Sequence, residues 1–229
     1  MSDIDILFTH TDFYIINKPP GVTMHDADNG IVSLLYQQTG EHLHLCHRLD
    51  DGTSGALVLA RNRQAAAWFG EAFARHQIQK YYLALACGKP AKKQGTISGD
   101  MKNRRRGQHI LLKTRHKPAV TQFFSDSLLP GIRIYLVKPL TGKTHQIRVA
   151  LKSLGVPILG DTLYGANASD RLYLHAYRLC FTYAGQMINV EADINHGEQF
   201  TAMSFDAWLT SSASDPLLRR WPDYKPPVR

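Results

Sequence analysis

Residues 42–50, HLHLCHRLD, place three histidines, a cysteine, an arginine and an aspartate within nine positions. Two chemistries are open to such a set. His42, His44 and Cys46, spaced i, i+2 and i+4, would project from one face of a strand, and three such ligands with a water make an open zinc site. The remaining histidines are scattered singly, so no partner motif supplies a further ligand or an activated carboxylate. The second chemistry belongs to Asp50, an acid close to Arg48 in a basic chain. On residue type alone its role would be an ion pair or a turn cap.

Other reactive patterns are missing. Ser54 lies in T-S-G-A without a G-x-S-x-G elbow, so Thr53 and Ser54 read as turn residues whose hydroxyls bond to nearby backbone. Neither G-x-x-x-x-G-K-[ST] nor G-x-G-x-x-G occurs, so no nucleotide cofactor is implied. The three cysteines, Cys46, Cys87 and Cys180, are widely spaced and odd in number, which argues against a disulfide framework and for a reducing, cytoplasmic setting. The N-terminus is acidic and no apolar run approaches the ~20 residues that span a bilayer, so neither export nor a membrane is expected.

Charge is concentrated. The chain has 229 residues and a formal net charge of +8, compatible with a polyanionic partner. Seven cations, Lys102, Arg104, Arg105, Arg106, Lys113, Arg115 and Lys117, fall between Met101 and Lys117, and no acid appears from Met101 through Ser125. A solvated loop is the plain reading of such a run. Because Leu111-Leu112 interrupts it and AVTQFF follows, a phosphate-contacting hairpin or loop is the expectation.

These residues need elements to hold them. Residues 6–9 and 13–17 read as a β-hairpin, IVSLLYQQ (31–38) as a short helix stopped at Gly40, and 42–50 as an alternating strand. That alternation would put His42, His44, Cys46, Arg48 and Asp50 on one face. ALVLA (56–60) is a central-strand candidate, and a helix over RQAAAWFGEAFARH and a strand at KYYLALACG follow. TGKTHQIRVALKSLG reads as a helix with Thr144 as N-cap and Gly155 at its stop. Strands in AVTQFF, IRIYLVK, RLCFTY and MINVEA, joined by short turns, give an α+β class with a mixed, mostly antiparallel sheet flanked by helices and loops.

Four ordered segments resemble the motifs of the RluA family of pseudouridine synthases. HRLDDGTSG (47–55) resembles the family's central motif, NKPPGVTMH (17–25) its first, QKYYLAL (79–85) its tyrosine-bearing strand, and PLTGKTHQIRV (139–149) its H-Q-[IL]-R motif. LGDTLYG and LYLHAYRL agree more weakly. The resemblance covers roughly residues 6–208. It implies a pseudouridine synthase fold, with a catalytic domain over 1–210; the proline and polar content of 211–229 reads as an extended tail, or one docked through Trp221.

It also implies an isomerase that converts a specific uridine of ribosomal or transfer RNA, working as a monomer without cofactor or metal. Carried over, Asp50 is the catalytic carboxylate, Tyr82 stacks on the base, Arg148 is the active-site arginine, Ile147 an apolar wall, and Arg48 helps displace the target nucleotide. Lys102, Arg104, Arg105 and Arg106 would hold RNA phosphates. The chain departs from the pattern in carrying Ala150 where many relatives have histidine, and in leaving no room before Ile6 for an S4 domain, so its own loops must choose the target. A non-catalytic RNA-binding or RNA-folding protein on the same fold is the alternative.

Overall fold

The computed structural model describes residues 3–224. In chain order its elements are β1 (Asp5–Thr9), β2 (Phe13–Lys18), α1 (Ile31–Thr39), β3 (His44–Leu45), β4 (Ser54–Ala60) and α2 (Arg63–Ala74). Then come β5 (Gln79–Cys87), β6 (Gln94–Gly99), β7 (Met101–Asn103), β8 (His109–Leu111), β9 (Ala119–Leu129), β10 (Ile132–Pro139) and α3 (Gln146–Ser153). The chain closes with β11 (Leu174–Tyr183), β12 (Gln186–Glu191) and α4 (Met203–Leu209). Two compact units divide it: the chain up to Lys80 with Leu174–His196, and Tyr81–Tyr173 with the chain from Gly197 on.

In the first unit β2 pairs antiparallel with β1 on one side and β4 on the other, and β11 pairs antiparallel with β12. Only β4 and β11 run parallel among these pairs, joined through His175 opposite Ser54 and Ala176 opposite Gly55. Gly55 has φ +110°, and a Cβ there would lie 2.3 Å from the Ala176 carbonyl oxygen, so the close approach admits glycine alone. β4 is buried at every position, as its unbroken apolar run predicts. Phe13, Ile15, Val58, Phe69, Leu179, Phe181 and Ile188 form the core on the α2 side. Asn62 caps α2 by accepting the Ala65 N–H at 2.8 Å.

In the second unit β5, β10, β9 and β6 pair in that order, all antiparallel. The expected strands and helices are therefore present and the class is α+β, with two local differences. Residues 42–50 do not form a continuous strand. Within that stretch only His44 and Leu45 pair with β4, because the His47 Nε2 accepts the Val58 N–H at 2.9 Å, a donor that a longer strand would have engaged through its backbone. Cys46 consequently packs against the core rather than sharing a face with Arg48 and Asp50.

The start of α3 also differs. Its N-cap is His145, not Thr144, and His145 adopts a left-handed conformation, φ 57°, with no side-chain cap. Gln146 supplies the local anchoring instead. Its Oε1 accepts from the Lys143 N–H and the Thr141 hydroxyl, while its Nε2 donates to the Val120 carbonyl and Thr121 Oγ1, at 2.7–3.0 Å throughout. The residues after α4 dock on this unit: Trp221 lies 4.9 Å from Phe124 and 5.8 Å from Tyr81 between ring centroids. Residues 225–229 of the tail lie outside the described residues.

Candidate active site

Asp50 opens a four-residue turn, DDGT, closed by the Thr53 N–H donating to the Asp50 carbonyl at 2.9 Å. The NKPPG segment braces that turn from beneath. The Gly21 N–H donates to the Asp51 carbonyl at 2.8 Å, and Lys18, fully buried, sends its Nζ to the carbonyls of Asp51, Pro19 and Val22 at 3.1, 3.0 and 2.7 Å. A buried ammonium demands such bonding, so Lys18 fastens residues 18–22 to the Asp50 turn. Asp50 is partly exposed and Arg48 exposed.

Strand β4 then carries the turn into the core. The Ser54 hydroxyl meets His175 Nδ1 at 2.8 Å, a partner far along the chain from its T-S-G-A setting, and His175 Nε2 donates to the Ala192 carbonyl at 3.0 Å. Both side chains are buried, and each imidazole nitrogen has its partner. The pair ties β4 to β11 directly behind the Asp50 turn.

The histidine and cysteine cluster disperses. His42 stacks on Tyr36 at 4.5 Å, Cys46 turns into the core, and His47 lies 4.3 Å from the Phe73 ring. Among the described residues no group of three metal-ligating side chains converges. Desolvation, with the Lys80 charge adding to it, pushes the His47 imidazole down to about 3 from its ordinary 6.5. Between those values the unfolded chain binds a proton that the folded chain refuses, so stability is lost as pH falls from 6.5 towards 3. His47→Gln, which keeps an acceptor for Val58, is expected to flatten this loss in thermal melts taken from pH 7 to pH 4.

The other expected site residues belong to the second unit. Tyr81 and Tyr82 sit on opposite faces of β5. Tyr81 is buried against Trp221, with the Lys138 ammonium 5.6 Å from its ring centroid. Arg148, in the first turn of α3, is held by Asp161 in a two-pronged pair, Nε to Oδ2 at 2.7 Å and Nη2 to Oδ1 at 2.8 Å. Planar forks of this kind fix direction as well as charge. The Asp161 side chain is 1% exposed and that of Arg148 11%. Ile147 is buried beside it.

Asp161 and Gln146 are the residues that sequence reasoning passed over. Their signal was present in the weaker LGDTLYG match and in the glutamine of H-Q-I-R, but pairing across 13 residues through a loop has no periodicity to announce it. The basic run forms a hairpin, as expected. β7 and β8 pair through Asn103 and His109, Lys102 and Arg104 to Arg106 are exposed, and the Asp100 carboxylate receives the His116 and Lys117 N–H groups where the chain returns.

Sequence and structure comparisons agree in what they find. A family model described as RNA pseudouridylate synthase matches residues 12–153. An uncharacterized RNA pseudouridine synthase of Haemophilus influenzae is 47% identical over 201 residues, covering 86% of this chain and 90% of the relative. The ribosomal large subunit pseudouridine synthase D of Zymomonas mobilis is 30% identical over 83% of this chain and 69% of its own. Among solved structures, human RNA pseudouridylate synthase domain containing 1 superposes with a TM-score of 0.75 at 28% identity, covering 90% of this chain and 87% of the other.

Proposed function

Given that the chain belongs to the RNA pseudouridylate synthase family, we propose that Asp50 is the carboxylate through which it isomerises one class of uridine. The family's reaction breaks the N1–C1' bond of a uridine, turns the uracil and joins C5 to C1'. A proton leaves C5 and one is gained at N1, so the change is an isomerisation with no redox step and no phosphoryl transfer. The observation that carries the assignment is the braced turn. A buried lysine, a glycine N–H and a Ser54–His175 lock hold residues 50–55, and Asp50 stands at its partly exposed end.

The remaining roles follow the motifs. Tyr82 is assigned to stacking on the uracil, worth about 1–3 kcal/mol in comparable sites, against a flipping cost of a few kcal/mol. Both tyrosines are buried, Tyr81 against Trp221, and the choice of Tyr82 follows the motif. Arg148 and Ile147 are assigned to the nucleotide as its polar and apolar contacts, and Arg48 to holding the target out of its stack. Ribosomal RNA is the first substrate to try, in keeping with the relatives named for the large subunit. Among the described residues no helix is long and apolar enough to cross a membrane.

Affinity for RNA is assigned to phosphate pairing by Lys102, Arg104, Arg105 and Arg106 on the hairpin. Removing one cation that pairs with a phosphate should lower the slope of log K against log salt by about 0.7–0.9. Replacing Arg104, Arg105 and Arg106 together by alanine is therefore expected to reduce that slope by about 2–3 while leaving kcat near wild type. Filter-binding titrations at several salt concentrations check this; an unchanged slope would remove the hairpin from the interface. Conversion of ribosomal RNA by purified protein, followed by mapping with an adduct specific for pseudouridine, tests the assignment as a whole.

A further inference from the structure

Tyr164 joins two parts of the second unit to which the proposed function gives different tasks. Its hydroxyl accepts the backbone N–H of His109, the residue opposite Asn103 in the basic hairpin, at 3.0 Å. The same oxygen lies 3.0 Å from His145 Nδ1, at the left-handed residue from which α3 starts. Its ring stands under Arg148, with the guanidinium carbon 5.1 Å from the centroid. Tyr164 is 6% exposed and follows Asp161 by three residues, its own N–H donating to the Asp161 carbonyl at 3.1 Å.

One side chain thus touches the hairpin backbone, the N-terminus of α3 and the arginine that Asp161 aims. Neighbouring residues reinforce the junction. Gln108 Nε2 donates to the Leu163 carbonyl at 2.7 Å, and the His109 and His145 rings meet edge to face at 5.2 Å. The hairpin is therefore fastened to the 161–165 segment at two adjacent residues. Its tip reverses through Arg106 at φ 59° and Gly107 at φ 71°.

We propose that Tyr164 is a positioning residue that couples RNA held on the 101–111 hairpin to the aim of Arg148, its hydroxyl setting the hairpin and its ring setting the arginine. The inference rests on the functional reading of Arg148 and of the hairpin given above. It divides the side chain into two separable effects. Loss of the hydroxyl alone removes the His109 fastening and leaves the Gln108–Leu163 bond in place, with the ring still beneath Arg148. Loss of the ring also removes the aromatic face that attracts and orients the guanidinium.

Tyr164→Phe and Tyr164→Leu separate the two. In Tyr164→Phe the His109 amide should exchange with solvent faster by about three- to tenfold, and KM for RNA should rise by a similar factor, with kcat within about twofold of wild type. In Tyr164→Leu kcat should also fall, by about two- to thirtyfold. A purely structural role predicts instead that both variants lower thermal stability and shift kcat together. Equal kcat losses in the two variants, or wild-type His109 exchange and KM in Tyr164→Phe, would overturn the proposal. The exchange measurement needs no turnover, and Asp50→Asn tests the catalytic reading independently, so each can fail without the other.

Discussion

Asp50→Asn is expected to lower kcat by about a thousandfold or more while leaving RNA affinity within about twofold of wild type. Asparagine keeps the size of the side chain and removes its charge and basicity. The turn that presents it is held by the Thr53 N–H on the Asp50 carbonyl and by the Lys18 ammonium and the Gly21 N–H on the Asp51 carbonyl, bonds that do not use the Asp50 carboxylate. A thermal melt of the variant beside wild type checks that these bonds persist. RNA affinity is assigned elsewhere, to the exposed cations of the β7–β8 hairpin. Single-turnover kinetics with saturating enzyme, together with equilibrium binding, separate the two quantities. Parallel loss of binding and turnover in a folded Asp50→Asn protein would contradict this division of labour.

The second large effect is expected at Asp161. Its carboxylate forks Arg148 from a position with 1% side-chain exposure. Removing one partner of a buried pair leaves the other charge uncompensated, which typically costs about 3–5 kcal/mol. Asp161→Ala should thus lower the melting temperature by roughly 6–20 °C for a chain of this size. Turnover measured well below that temperature should fall at least about tenfold, since Arg148 loses the fork that directs it. Asp161→Asn, which retains an acceptor for one of the two N–H groups, should fall between. Arg148→Lys separates charge from geometry, because lysine keeps the charge and cannot form the fork. Wild-type stability and turnover in Asp161→Ala would show that the pair neither holds the loop nor aims the arginine.

Much of this architecture is legible in the sequence, and the misreadings have identifiable causes. The apolar run at 56–60 and the strand pattern at 13–17 match the structure because each is buried in the regular way its pattern implies. Residues 42–50 alternate just as regularly. There a side chain, His47, takes the Val58 N–H, and the DDGT turn ends the pairing. Propensity assigns Thr144 to the cap of α3, but Gln146, stapling four partners around it, fixes the chain one residue later with His145 in a left-handed turn.

The site is legible only in part for a related reason. Asp50 and Arg148 stand in motifs that are long and ordered along the chain, so their resemblance is visible without a structure. The groups that hold them are not adjacent in sequence. Asp161 reaches Arg148 across 13 residues, Ser54 meets His175 across 121, and Lys18 reaches Asp51 across 33. The Ser54–His175 pair depends on sheet order, the parallel register of β4 with β11, which no local pattern encodes.

The most direct test of the central claim compares RNA from cells lacking the gene with RNA from the same cells carrying either the wild-type protein or Asp50→Ala, mapping every pseudouridine by an adduct that arrests reverse transcription. A site is expected that disappears with the gene, returns with wild type and stays absent with Asp50→Ala at equal protein level. Return of the site with Asp50→Ala would contradict the assignment of Asp50 as the catalytic carboxylate.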